Sequence, residues 1–124
     1  MGIITTGLIL TPVIIISYYQ LPRYEYRLAY VDSVMVKDFP QKGLETTIHI
    51  NGTLPSSCST LFYHFSSIDD LSKEVNIFLW ESVALHGGCL PMVIDYNYEV
   101  LIIFPSSGYW IVSCNYKNIT VLVY

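Results

Sequence analysis

After its first twenty or so residues, this chain places apolar side chains on alternate positions. Val75, Ile77 and Leu79 form one such set; Val100, Ile102 and Phe104 form a second, and Trp110, Val112 and Cys114 a third. A period of two puts each set on one face of a strand, because successive Cβ atoms point to opposite sides of the backbone. On that basis strands are expected over residues 24–36, 44–51 (with Ile48 and Ile50 facing inward), 58–65, 74–81, 98–104, 109–115 and 119–124, with 92–96 as an edge strand. Breaks separate them at Asp38-Phe39-Pro40-Gln41-Lys42-Gly43, Leu54-Pro55-Ser56-Ser57, His86-Gly87-Gly88 and Pro105-Ser106-Ser107-Gly108. Residues 66–72, rich in Asp and Ser, read as a loop or a single helical turn. Seven or eight short strands with turns every 8 to 12 residues or so predict an all-β fold, an antiparallel sandwich whose core holds the three alternating sets.

The opposite parity is expected to be polar, yet it carries Phe78, Trp80, Leu101, Ile103, Tyr109, Ile111, Leu122 and Tyr124. Apolar patches beyond a few hundred Å² on a monomer usually mark contact surfaces, so these eight are the candidate interaction surface. Two coverings compete: a partner, or the strand at Tyr24 together with the amino-terminal segment of the same chain.

That segment divides the chain into residues 1–22, an apolar head, and residues 23–124, the sandwich domain. No charge occurs from Ile3 to Tyr19. As a membrane helix this stretch is short and interrupted by Pro12; as a signal peptide it lacks a basic start and a small-residue cleavage site. Its many β-branched residues also suit an extended strand donated to a sheet. Anchor, donor strand and cleaved signal all stand, so residues 3–19 are a candidate membrane contact.

Composition narrows the function classes. Charged residues make up 13% of the 124 and hydrophobic ones 52%, with 11 tyrosines, which excludes a disordered chain and is unlike an ordinary cytosolic surface. A net charge of −4 with six Lys and Arg and no basic cluster excludes nucleic acid as a partner. Of three cysteines, Cys58 follows a Pro-Ser-Ser turn and Cys89 follows Gly-Gly, whereas Cys114 lies within a strand pattern. A Cys58–Cys89 disulfide is therefore expected, with Cys114 a small buried hydrophobe.

The succession Gly52-x-Leu54-Pro55-x-x-Cys58, an alternating strand, Cys89, Val100-x-Ile102, a turn, then Gly108-x-Trp110-x-Val112-x-Cys114-Asn115 resembles a small immunoglobulin-like domain of secreted bacterial proteins and lipoproteins. The likeness spans about 70 residues and implies an immunoglobulin-like antiparallel sandwich of about seven strands outside the cytoplasm. The head departs from the pattern, having no lipobox cysteine.

Other chemistry is sparse. Asn51-Gly52-Thr53 and Asn118-Ile119-Thr120 fit the glycosylation acceptor triplet. His49, His64 and His86 are scattered, and His86-Gly87-Gly88-Cys89 offers too few ligands for zinc. Asp69-Asp70 lacks the remaining oxygens of a calcium loop. Ser56, Ser57 and Ser59 with His64 and Asp69 contain the residue types of a triad without a nucleophile elbow. No cofactor, metal or catalytic residue is expected. The reading is a non-enzymatic extracytoplasmic structural or interaction protein of a cell or virion surface. It would be attached or assembled through its head with copies of itself or other surface proteins, as a donor-strand filament subunit is. The alternative is a soluble secreted binding or inhibitor module released from a cleaved signal peptide.

Overall fold

The structure, a computed structural model, describes residues 23–85 and 87–124. Residues 1–22, with the expected head contact at 3–19, and His86 lie outside the described residues. Eight strands follow in order: β1 (Tyr24–Leu28), β2 (Tyr30–Val36), β3 (Glu45–Ser56), β4 (Ser59–Asp69), β5 (Glu74–Ala84), β6 (Pro91–Ile103), β7 (Gly108–Cys114) and β8 (Lys117–Val123). The fold is an all-β sandwich of two sheets. One is β2-β3-β6; in the other, β4 lies on one edge of β5 while β1 and β7 share the opposite edge, with β8 beyond β7.

The alternating sets all reach the core. Val75, Ile77, Leu79, Trp110, Val112 and Cys114 from one sheet face Ile48, Ile50, Val100, Ile102 and, just past β6, Phe104 from the other. Trp110 is fully buried, stacked edge-on against Phe104 at 5.3 Å, and its Nε1 donates to the Ser106 carbonyl at 2.9 Å. Burying so large a ring with its polar atom satisfied makes it the packing centre of this half. Around it, Lys73 Nζ donates to Ser106 Oγ and to the Ser107 carbonyl, each at 2.8 Å, and Ser106 Oγ donates to Asp70. The β4–β5 turn and the β6–β7 turn are thereby clasped together.

Several boundaries differ from the sequence expectation. The single strand expected over 24–36 is two, because the chain passes from one sheet to the other at Ala29, which is 0% exposed. Ala29 donates its N–H to Leu79 O, and the Asn115 amide bonds its carbonyl. Nor does the Tyr24 strand cover the outer face of the sheet. It joins the edge of that sheet instead, Tyr24 pairing with Ala84 and Leu28 with Trp80. The expected break at Leu54–Pro55 is absorbed as an irregularity within β3, a tolerated place for proline. Residues 66–69 continue β4 to Asp69 rather than forming a helical turn, since the tight turn waits for Lys73 at φ 54°. The expected pair of strands at 92–96 and 98–104 is one long β6 paired along β3 from Ile103 to Pro91. Finally, β5 and β7 run parallel over Glu74–Ile77, a non-local pairing with no hairpin signature.

The β3–β6 ladder contains one further fitted contact. Gly52 sits opposite Tyr96, and a Cβ there would collide with the Tyr30 carbonyl oxygen and the Tyr96 hydroxyl. Glycine is needed at this point because the Tyr96 ring lies over the backbone and its hydroxyl donates to Tyr30 O at 2.6 Å.

Candidate interaction surfaces

The strand order divides the eight candidate surface residues among three places. Phe78 and Trp80 face outward from β5; Tyr109, Ile111, Leu122 and Tyr124 do so from the β7–β8 side of the same sheet; Leu101 and Ile103 lie on the outer face of the other sheet. One continuous patch through all eight is therefore not formed, because Leu101 and Ile103 belong to a strand on the far side of the core. Tyr124 is partly engaged within the chain, its ring 6.1 Å from Phe39.

A denser patch forms where β1, β5 and β4 lie side by side. Leu28, Trp80 and Tyr63 occupy one cross-strand row, and Phe78 and Phe65 the next but one. The register slips by one residue between Leu61 and Tyr63, which leaves Phe62 in a bulge. From there its ring lies 4.8 Å from Tyr26 and 5.5 Å from Tyr63. Ser82, the residue opposite both Tyr26 and Thr60, is buried and hydrogen bonded to Thr60 Oγ1 at 3.1 Å. Tyr26, Leu28, Phe62, Tyr63 and Phe65 are all exposed. Tyr26 and Leu28 share a face of any strand by parity, but only the bulge and the β1–β5 pairing align them with Phe62, Tyr63 and Phe65. Alternation of Tyr and Phe was the visible signal, but it had no partner strand to count against.

At the same end, Cys58 and Cys89 form a disulfide. It links the β3–β4 turn to the β5–β6 loop, and Ser57 Oγ accepts from Leu90 N across the same junction at 2.9 Å. A bridge closing a loop of this length stabilises by about 3 to 4 kcal/mol in the chain-entropy account. Cys114 is the free cysteine, fully buried between the sheets, and burial pushes its thiol up to about 12. A thiol so disfavoured from ionising is a packing group, not a nucleophile.

The remaining candidates are committed locally. Asn118 is exposed on β8, whereas Asn51 is half-buried in the sheet with its amide 3.5 Å from Ser33 Oγ. His64 Nδ1 is bonded to the Tyr98 hydroxyl at 2.6 Å, and His49 sits across from Glu99. Ser56 and Ser59 bond each other at 3.0 Å. Asp69 Oδ1, at the opposite end of β4, accepts from Leu71 N and Ser72 N in its own turn. Ser, His and Asp thus belong to three separate arrangements. Among the described residues, no three His, Cys, Asp or Glu side chains converge as a metal site would require, and no helix is long and apolar enough to cross a membrane.

Asn115 is the residue whose surroundings the sequence least suggested. Its Nδ2 donates to Ala29 O at 2.6 Å and Leu79 O at 3.1 Å, its Oδ1 accepts from Leu79 N at 3.0 Å, and its own N–H donates to Ile77 O at 3.0 Å. One side chain therefore closes the seam where β1 and β7 meet along β5. It does so from φ 56°, a left-handed conformation that asparagine tolerates better than most residues. Set against known proteins, the chain matches no family model, no curated protein and no solved structure.

Proposed function

We propose that this chain is a non-enzymatic extracytoplasmic interaction protein of a cell or virion surface. It is attached or assembled through residues 3–19 and meets its partner, another copy or a second surface protein, through the aromatic face of β1, β5 and β4. The observation that carries this reading is that face itself: Tyr26, Phe62, Tyr63, Phe65, Phe78 and Trp80 gather on one side of one sheet, largely exposed. Each large apolar side chain buried by a partner contributes roughly 1.5 to 3 kcal/mol, so four or five outweigh the side-chain ordering that association requires. Aromatic residues also dominate the centres of protein interfaces.

The disulfide supports a compartment outside the cytoplasm, where thiols are not kept reduced. Exposed Asn118 is the better-presented glycan acceptor of the two. An immunoglobulin-like identity is part of the proposal, supported by the two packed sheets, the strand that changes sheet at Ala29 and the buried tryptophan. The bridge differs from the usual inter-sheet one, in that it ties two loops at one end while Trp110 packs on Phe104.

The test is self- or partner association of the full chain carrying Phe62→Ser and Phe65→Ser together, followed by sedimentation in detergent. Both residues are exposed, so a thermal midpoint within a few degrees of the parent is expected, with association weakened at least about tenfold. Unchanged association would remove this face from the proposal.

A further inference from the structure

Between the β1 edge and the paired ends of β3 and β6 lies a groove of about 500 Å³, a volume in the range of small-ligand sites. It opens because β7 and β8 stop at the Asn115–Tyr116 turn, leaving β1, from Trp80 onward, as the outermost strand on that edge of β5 while β4 lines the other. Its walls include Leu54, Pro55 and Val93, with the rings of Tyr30 and Tyr116 set 5.8 Å apart at one side. On β5 the inward parity that supplies Val75, Ile77 and Leu79 supplies Glu81 next, and this carboxylate lines the groove while only 2% exposed.

Glu81 Oε1 is paired with Arg27 Nε on β1, directly across the register. Its Oε2 is buried without a hydrogen-bond partner. Leaving a carboxylate oxygen dry and unpaired is costly, and a leucine here would continue the core at no such cost. Burial first, then Cys114 and Tyr116, and after them Asp32 and Glu81, raise the neighbouring Tyr96 phenol. Arg27, by contrast, is nearly half exposed, so water screens much of its charge.

We propose that the groove binds a primary ammonium ion bearing a short branched apolar tail. Its N–H groups donate to Glu81 Oε2, its charge lies against the tyrosine faces, and its tail rests on Leu54, Pro55 and Val93. A charged donor suits a buried carboxylate oxygen that lacks a partner, and aromatic faces attract cations. The orphan oxygen selects a cation that carries N–H groups over one that does not.

The experiment titrates the full chain in detergent, by calorimetry at low ionic strength, with 3-methylbutylammonium. In parallel it uses 3-methylbutan-1-ol, which keeps the tail without the charge, and tetramethylammonium, which keeps the charge without the donors. A dissociation constant on the order of 1 mM or tighter is expected for the first, with both others at least about tenfold weaker. Val93→Trp, at a wall position that is 74% exposed, is expected to fill the groove and weaken binding at least about tenfold while leaving the thermal midpoint in place. Glu81→Gln is expected to abolish the preference for the ammonium over the alcohol; should it fail to fold with Arg27 left alone, Val93→Trp decides. No binding of 3-methylbutylammonium at about ten times that concentration overturns the assignment. So do equal affinities for all three probes, or binding unchanged by Val93→Trp.

Discussion

The two ends of this sandwich are held by different means. At the end where Trp110 lies, β7 and β8 complete the sheet, and Lys73, Ser106, Asp70 and the indole N–H satisfy one another over a filled core. At the other end the single strand β1 stands where β7 and β8 would continue the sheet, the sheets part around a groove, a buried carboxylate keeps an orphan oxygen, and a covalent bridge ties the loops. Packing saturates the first end, whereas the second end joins an incomplete wall with sulfur. A small β domain thus tolerates an opening where a cross-link substitutes for missing strand contacts.

The sharpest way to break this contrast is Trp110→Ala. It should cost about 3 to 5 kcal/mol in chemical denaturation, equally in oxidising and reducing buffer, because the loss is a cavity between sheets. A redox-dependent loss would tie the closed end to the bridge after all. Cys58→Ser should cost about 3 to 4 kcal/mol in oxidising buffer and almost nothing against reduced parent protein. Equal losses in the two buffers would place the effect in packing at the turn and erase the difference between the ends.

The last effect, a pH dependence, is confined to alkaline solution, and below pH 9 it vanishes. The Cys114 thiol is raised from near 9 to about 12 by burial, so its folded value exceeds its unfolded one. The stability it contributes is whole below pH 9 and is lost as pH climbs toward 12, since the unfolded chain gives up that proton first. Tyr96 acts in the same sense above pH 10. Thermal midpoints of Cys114→Ala against parent should converge across that window; parallel curves would mean that the thiol ionises as easily folded as unfolded.

Much of this architecture was legible in residue order, and the reason is local. Val75, Ile77 and Leu79 must share a face in any strand, so the core could be named without knowing which strands touch. The Cys58–Cys89 pair was legible because turn residues flank both. What escaped reading depends on distant partners. The sheet change at Ala29 is fixed by Asn115, 86 positions away, and nothing near Ala29 announces it. The aromatic face needed the slip at Phe62, and the groove needed Arg27 set against Glu81, neither of which periodicity encodes. The parity of the eight surface residues is local, but their division between two sheets follows from pairing order alone.

The register also sets how the domain would bear tension. Tyr24 enters beside Ala84 at the bridged end, while Val123, just before Tyr124, pairs with Gly108 at the opposite pole. A pull between those two points is directed along β1, so its hydrogen bonds to β5 are loaded in shear, together, instead of being unzipped one at a time. The Asn115 amide stands behind them as a latch at Ala29. A domain tethered through the segment before β1 would set all five β1–β5 residue pairs against the load at once.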